Sequence, residues 1–157
     1  MRMKTLLPLA KADAIANEAL RLGREEGMHP LTVAVLDGGG HVVVLKREDG
    51  SGILRADIAS GKAWGALGMG IPSRAIRDRL ADRPAFQNAL AAAADGRLIP
   101  VPGGVLITDE TGATIGAVGV SGDTSDKDEY CAIQAIAKAG YLPDPPEPSE
   151  VWRESSL

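Results

Sequence analysis

Small and apolar side chains recur at steps of three and four along residues 9–26. Leu9, Ala12, Ala16, Ala19 and Gly23 share a stripe, with Ile15 and Leu22 beside it. That spacing predicts a helix with one buried face. Pro8 suits its first turn and Gly27 its stop. The period then changes. Residues 31–37 are rich in β-branched side chains (Thr32, Val33, Val35), residues 42–45 read Val-Val-Val-Leu, and Gly38-Gly39-Gly40 lies between them. Two short strands around a glycine turn predict an antiparallel hairpin. The second strand ends in Lys46, Arg47, Glu48 and Asp49, and Gly50-Ser51-Gly52 is a turn.

A helix is expected over residues 53–69, with Ala56, Ala59, Ala63 and Ala66 on or near one face. Gly61, Gly65 and Gly68 each cost about 1 kcal/mol there relative to alanine, so they imply close packing against another element or a second subunit. Residues 73–80 and 84–94 predict two more helices, introduced by Pro72 and Pro84. Arg74, Arg77, Arg79 and Arg83, interleaved with Asp78 and Asp82, read as a solvated face on which Arg74 pairs with Asp78. Residues 98–108 read as two strand pieces around Pro102-Gly103-Gly104, and residues 114–120 as a further strand. Ser125, with Asp128 three residues on, predicts a capped helix through Ala139. Its buried stripe is Ala132, Ile133, Ile136 and Ala137, and Gly140 is its stop. Pro143, Pro145, Pro146 and Pro148 exclude helix and interior strand, so the last residues are expected to form a tail on the surface or on a partner.

Helix, two strands, helices, strands and a final helix predict an α+β domain: a mostly antiparallel sheet with helices packed against it. The reading is one domain over residues 1–142 and a Pro-rich tail over 143–157. At 157 residues, 45% of them apolar, the chain can bury a core without disulfides or a structural metal. Its one cysteine, Cys131, excludes an intrachain disulfide and a multi-cysteine zinc site. A net charge of −4 argues against phosphate neutralisation as a source of affinity, and 3% aromatics against base stacking. Nucleic acid is therefore not an expected partner. A core of Ala, Val, Leu, Ile and Gly buries little area per side chain, which predicts stabilisation by association into a homo-oligomer. No stretch is long and apolar enough for a membrane span. The leader-like start of the chain is interrupted by Lys11 and Asp13, which predicts a cytoplasmic protein.

Chemistry concentrates in three places. Asp37, Arg47, Asp49, Lys62 and Asp128 form the candidate constellation. Asp37 and Arg47 belong to one hairpin, and arginine grips a carboxylate with two prongs. A lysine on a helix of small residues is a candidate base or nucleophile, with Asp37 and Asp128 as partners. The alternative is an ion-pair network that ties the hairpin to the helix. The Gly103-Gly104 turn and the Gly119-Val120-Ser121-Gly122 loop offer backbone N–H groups, the second at a helix N-terminus suited to a carboxylate or phosphate. Asp123, Asp126 and Asp128 would repel an anion there, and turns needed by the backbone are the plainer reading. Neither a P-loop nor a dinucleotide fingerprint is present. His29 and His41 are the only histidines. Two such separated residues do not make a metal signature.

Four segments in order carry a resemblance. They are Val35-Leu36-Asp37 with its glycine turn, and Arg47-Glu48-Asp49-Gly50 before a helix bearing Gly61-Lys62-Ala63. The others are Val101-Pro102-Gly103-Gly104-Val105, and residues 115–122, Ile-Gly-Ala-Val-Gly-Val-Ser-Gly, followed by Asp128-Glu129. Together they resemble the GlcG/HbpS-like family, which includes the C-terminal domain of PduO-type proteins. The resemblance covers residues 9–140. It implies a profilin-like sandwich, homo-oligomers and, in some members, haem binding. Glu48 and Gly65 depart from the family's usual Met and Thr. A haem needs an axial donor, and His41, beside three glycines that leave room for a macrocycle, is the better candidate, with His29 second. Met69, Cys131 and Tyr130 are weaker donor candidates, and Met69 and Cys131 read as packing residues.

Three functions follow as expectations. The first is a tetrapyrrole-binding protein. The second is a cofactor-free enzyme acting on a small carboxylated metabolite held by Arg47, Asp49 and the glycine loops. The third is a non-catalytic accessory oligomer.

Overall fold

Thr32 to Leu36 are all buried, although alternate side chains of a strand point to opposite faces. A strand covered on both faces belongs in the interior of a sheet, and this one lies between two neighbouring strands. The computed structural model describes residues 4–157. Residues 1–3, the start of the leader-like stretch, lie outside the described residues. The strands are β1 (Thr32–Asp37), β2 (Val42–Arg47), β3 (Gly104–Thr108), β4 (Thr114–Ser121) and β5 (Leu142–Asp144). They form one sheet in the order β2-β1-β4-β3-β5, with every neighbouring pair antiparallel.

Helices α1 (Leu9–Glu25) and α5 (Ser125–Lys138) cover one face, where Ile15, Ala16, Ala132, Ile133 and Ile136 meet Val33, Val35, Val118 and Val120. Helix α2 (Arg55–Met69) covers the other, where Ala63 and Ala66 meet Leu36, Leu106 and Ala117. Helices α3 (Ser73–Leu80) and α4 (Pro84–Ala93) follow, and a short 3-10 turn spans Trp152–Glu154. This is the expected α+β sandwich. Among the described residues, no helix is long and apolar enough to cross a membrane.

Glycine sets the spacing between α2 and the sheet. A Cβ on Gly119 would fall on the Ala59 carbonyl oxygen, and one on Gly104 on the Lys62 carbonyl oxygen. Gly61 and Gly65 instead face Arg97, Leu98 and Ile99, so two of the three helical glycines pack within the chain; Gly68 has nothing within 4 Å. Gly119→Ala is therefore expected to cost about 3 kcal/mol or more, because backbone must move. Gly68→Ala should instead stabilise by about 1 kcal/mol through helix propensity. Urea unfolding of the two variants checks both signs.

Several local expectations are corrected. Leu9 is exposed, so the buried stripe of α1 begins at Ala12. Residues 98–103 form no strand; only β3 does. The cap of α5 is Thr124, whose backbone is extended and whose Oγ1 accepts from Lys127 N at 3.4 Å. Ser125 is already helical, and Asp128 turns inward, so no capping box forms. Asp78 pairs with Arg77 at 2.8 Å. Arg74 instead reaches Glu129 at 3.4 Å and donates to the Glu147 carbonyl at 2.9 Å. Pro143 sits in β5, an edge strand whose outer side needs no N–H donor. The tail lies on its own chain. Trp152 stacks on Tyr130 with ring centroids 3.7 Å apart, Arg153 pairs with Glu26, and the Ser155 hydroxyl meets that of Thr124.

Candidate functional site

The hairpin separates two residues expected to act together. Arg47 pairs across from Thr32, at the open end of β1 and β2, whereas Asp37 stands at the closed end. Asp37 Oδ1 accepts from the backbone N–H groups of His41 (3.0 Å) and Gly39 (2.9 Å). Those bonds hold its carboxyl below the usual range, against a smaller upward pull of burial. His41 is 82% exposed, its Nδ1 3.4 Å from the same oxygen. At the other end, Arg47 donates to the Ser51 carbonyl and Asp49 is exposed. Glu48 ties that end to α1 and β1, accepting from Leu31 N at 2.6 Å and pairing with Arg24 at 2.9 Å. His29 is exposed, and only its backbone is engaged, its N–H donating to Asp123 Oδ2 at 2.9 Å and its carbonyl accepting from Arg24. Among the described residues, no cluster of three or more His, Cys, Asp or Glu is arranged to hold a metal ion.

Lys62 and Asp128 do meet, but out of reach of solvent. Their side chains are 2% and 1% exposed, and Nζ lies 2.9 Å from Asp128 Oδ2 and 2.8 Å from the Val120 carbonyl. Asp128 Oδ1 accepts from Asp123 N at 3.1 Å. Burial pushes the Asp128 carboxyl up, and the neighbouring ammonium only partly offsets it. The glycine loops expected to cradle an anion are filled by the chain itself. Gly104 and Gly119 receive the backbone of α2, Gly122 receives Pro30 and Leu31, and Gly103 lies against the Lys62 side chain. Ser121 is buried and its Oγ is 3.2 Å from Arg55 Nη1. The constellation thus splits into a turn cap, a surface arginine and a sealed ion pair. Lys62, the candidate base, is buried in this structure with its ammonium on Asp128.

A cavity of about 490 Å³ opens on the α2 side of the hairpin turn. Leu36, Val42, Ile58 and Ile99 make its apolar wall, and Trp64 and Arg97 stand in it. Gly40, in the left-handed region at φ 81°, lets the turn close on Trp64, since a Cβ there would come 3.1 Å from the indole. The Arg97 guanidinium lies 4.0 Å from the Trp64 ring centroid, and its Nε donates to Ala94 O at 3.1 Å. The wall that carries Arg97 includes Asp95, a residue other than glycine held at φ 52°. Such backbone strain is tolerated where surrounding structure enforces it. Trp64 stands out in a chain with few aromatics. Arg97 carried no sequence signal, because it meets the indole only across the fold.

The model of the family described as haem degrading protein HbpS-like matches residues 7–137. The chain belongs to this family. A curated relative from Citrobacter freundii, an uncharacterized 15.0 kDa protein of the dhaT-dhaS intergenic region, is 32% identical over 130 residues, 83% of this chain and 88% of that protein. A solved double mutant of Streptomyces reticuli HbpS is 30% identical with a TM-score of 0.74, over 88% of this chain and 90% of that one. The crystal structure of a PduOC–heme complex has a TM-score of 0.77 at 23% identity, over 86% of this chain and 96% of that one, a likeness of fold.

This HbpS-like chain also buries a charge that the constellation did not include. Glu129 is fully buried, and neither carboxylate oxygen has a hydrogen-bond partner among the described residues. Its nearest cation is Arg74, 3.4 Å away. Burial pushes its carboxyl up to about 7. A signal did exist: Asp128 and Glu129 continue the buried stripe of Ala132, Ile133 and Ile136 by steps of four. The two family departures are put to structural use. Glu48 makes the clasp to α1, and Gly65 admits Leu98 against α2.

Proposed function

We propose that this chain is a small ligand-binding protein that takes haem or a related tetrapyrrole into the Trp64–Arg97 cavity. The observation that carries the reading is an open apolar cavity with an exposed arginine stacked over an indole in its wall. Apolar walls suit a macrocycle, and a guanidinium suits its carboxylates. Family membership supports the same ligand class. A bound haem would supply iron chemistry; the chain supplies apolar contact and charge pairing. The chain is also proposed to associate with itself. Val42 and Leu45 on edge strand β2, with Ile53 and Leu54 next to α2, are exposed apolar side chains, and Val42 and Leu54 also line the cavity.

The test is haemin titration followed by absorbance and gel filtration, with Trp64 fluorescence read in a Trp152→Phe background. A saturable Soret shift at one haemin per chain, on an oligomer, is the expected result. Arg97→Ala should weaken binding roughly tenfold, the loss of one charge-assisted contact. A Soret shift that leaves Trp64 fluorescence unquenched, or that Arg97→Ala does not weaken, places the ligand elsewhere and overturns the reading.

A further inference from the structure

We propose, resting on that reading, that the Trp64–Arg97 cavity recognises the carboxylate and flat face of a tetrapyrrole and is indifferent to the metal at its centre, so that metal-free porphyrins are ligands on a par with haem. The lining residues offer no His, Cys, Met or Tyr among the described residues. Those are the side chains that ligate a porphyrin iron. His41 lies between two lining residues, Gly40 and Val42, yet is not itself part of the wall. Its ring is turned to Asp37, and Asp37 borders a separate cavity with Leu7, Val43 and Ile115. His29 lies at the other end of the hairpin, before β1.

The charges in the cavity also specify an orientation. Arg97 is the one basic side chain in the wall, and Asp57 and Asp95 are its acids. A ligand carboxylate is repelled by both acids and drawn to Arg97. Trp64 holds the guanidinium plane from one side, and the Ala94 carbonyl holds Nε, so the terminal nitrogens are set before a ligand arrives. Preorganised pairing of this kind contributes affinity that the metal does not influence. The Ile99 N–H, bonded to the Gly61 carbonyl at 3.3 Å, anchors the Arg97 segment to α2.

The experiment titrates the full chain, carrying Trp152→Phe, with haemin, protoporphyrin IX and protoporphyrin IX dimethyl ester, reading Trp64 quenching. Haemin and protoporphyrin IX should have Kd values within about 3-fold of each other, and the ester should bind roughly tenfold more weakly. Arg97→Ala should erase the difference between acid and ester. His41→Ala and His29→Ala should leave every affinity unchanged. Haemin binding tenfold more tightly than protoporphyrin IX, with that preference lost in either histidine variant, would overturn the inference while leaving haem binding intact. Failure of all three probes to quench Trp64 in a folded protein, verified by circular dichroism, overturns the haem reading as well.

Discussion

Lys62→Met is expected to destabilise the protein by about 3–5 kcal/mol at neutral pH, the cost of leaving one member of a buried ion pair without its partner. The substitution keeps the length and apolar stem of the side chain, so packing under Gly103 and Gly104 is little changed. It removes the donor to Asp128 and to the Val120 carbonyl together. Asp128, already pushed up by burial, then loses the cation that opposes the push. A carboxyl raised in the fold favours folding at low pH and is penalised as pH rises through its folded pKa. The deficit of Lys62→Met should therefore grow from acid to neutral pH. Adding Asp128→Asn removes the stranded charge and retains an acceptor for the Asp123 N–H, so the double variant should be more stable than Lys62→Met alone. Urea unfolding of both proteins across pH measures this. A Lys62→Met protein as stable as wild type would show that the pair is no structural clamp, and would return Lys62 to the list of functional residues.

That pair shows what could be read from the sequence. The chemistry of Lys62 and Asp128 is visible in the sequence, and they do meet, yet sequence spacing does not report that α2 seals them against β4. Sealing depends on Gly104 and Gly119 admitting helix backbone, and a glycine reads equally as a loop for a ligand. The hairpin was legible because its β-branched runs and glycine turn are local, and so were the small-residue stripe of α1 and the apolar stripe of α5, although Ala137, expected in that stripe, is exposed and Ala135 is buried instead. Antiparallel counting puts Asp37 beside the turn and Arg47 at the far end, so their complementary charges do not bring them together. The cap of α5 fell one residue from its expected place because Ser and Thr are equivalent in pattern, and only backbone dihedrals choose between Thr124 and Ser125. Strand β5 is not legible in the sequence because proline signals a break, whereas an edge strand tolerates one. Arg97 over Trp64 is a contact across the fold between residues 33 positions apart, which no local pattern contains.

Glu129→Gln is expected to stabilise the protein at pH 8 and to flatten its stability between pH 5 and 8. In wild type the Glu129 carboxyl rises from an ordinary 4.5 to about 7, so the folded chain holds this proton more tightly than the unfolded chain. Burial is the chief cause, and Asp126 adds to it; Arg74, Arg77 and Lys62 act in the opposite direction without prevailing. The sign follows from linkage. The proton favours folding fully below pH 4.5, and that contribution is lost as pH rises through about 7. Over that window wild type should lose about 3 kcal/mol from this one group. Glutamine keeps the shape of the protonated acid and never ionises, so Arg74 retains its bond to the Glu147 carbonyl while the buried charge is gone. For a chain of this length the gain at pH 8 corresponds to a Tm higher by roughly 6–12 °C. Thermal unfolding of both proteins at pH 5, 6.5 and 8 measures the effect. The two curves should converge at pH 5 and separate at pH 8. Parallel curves would mean that Glu129 stays ionised in the fold, with the Arg74 guanidinium 3.4 Å away sufficient to hold its charge.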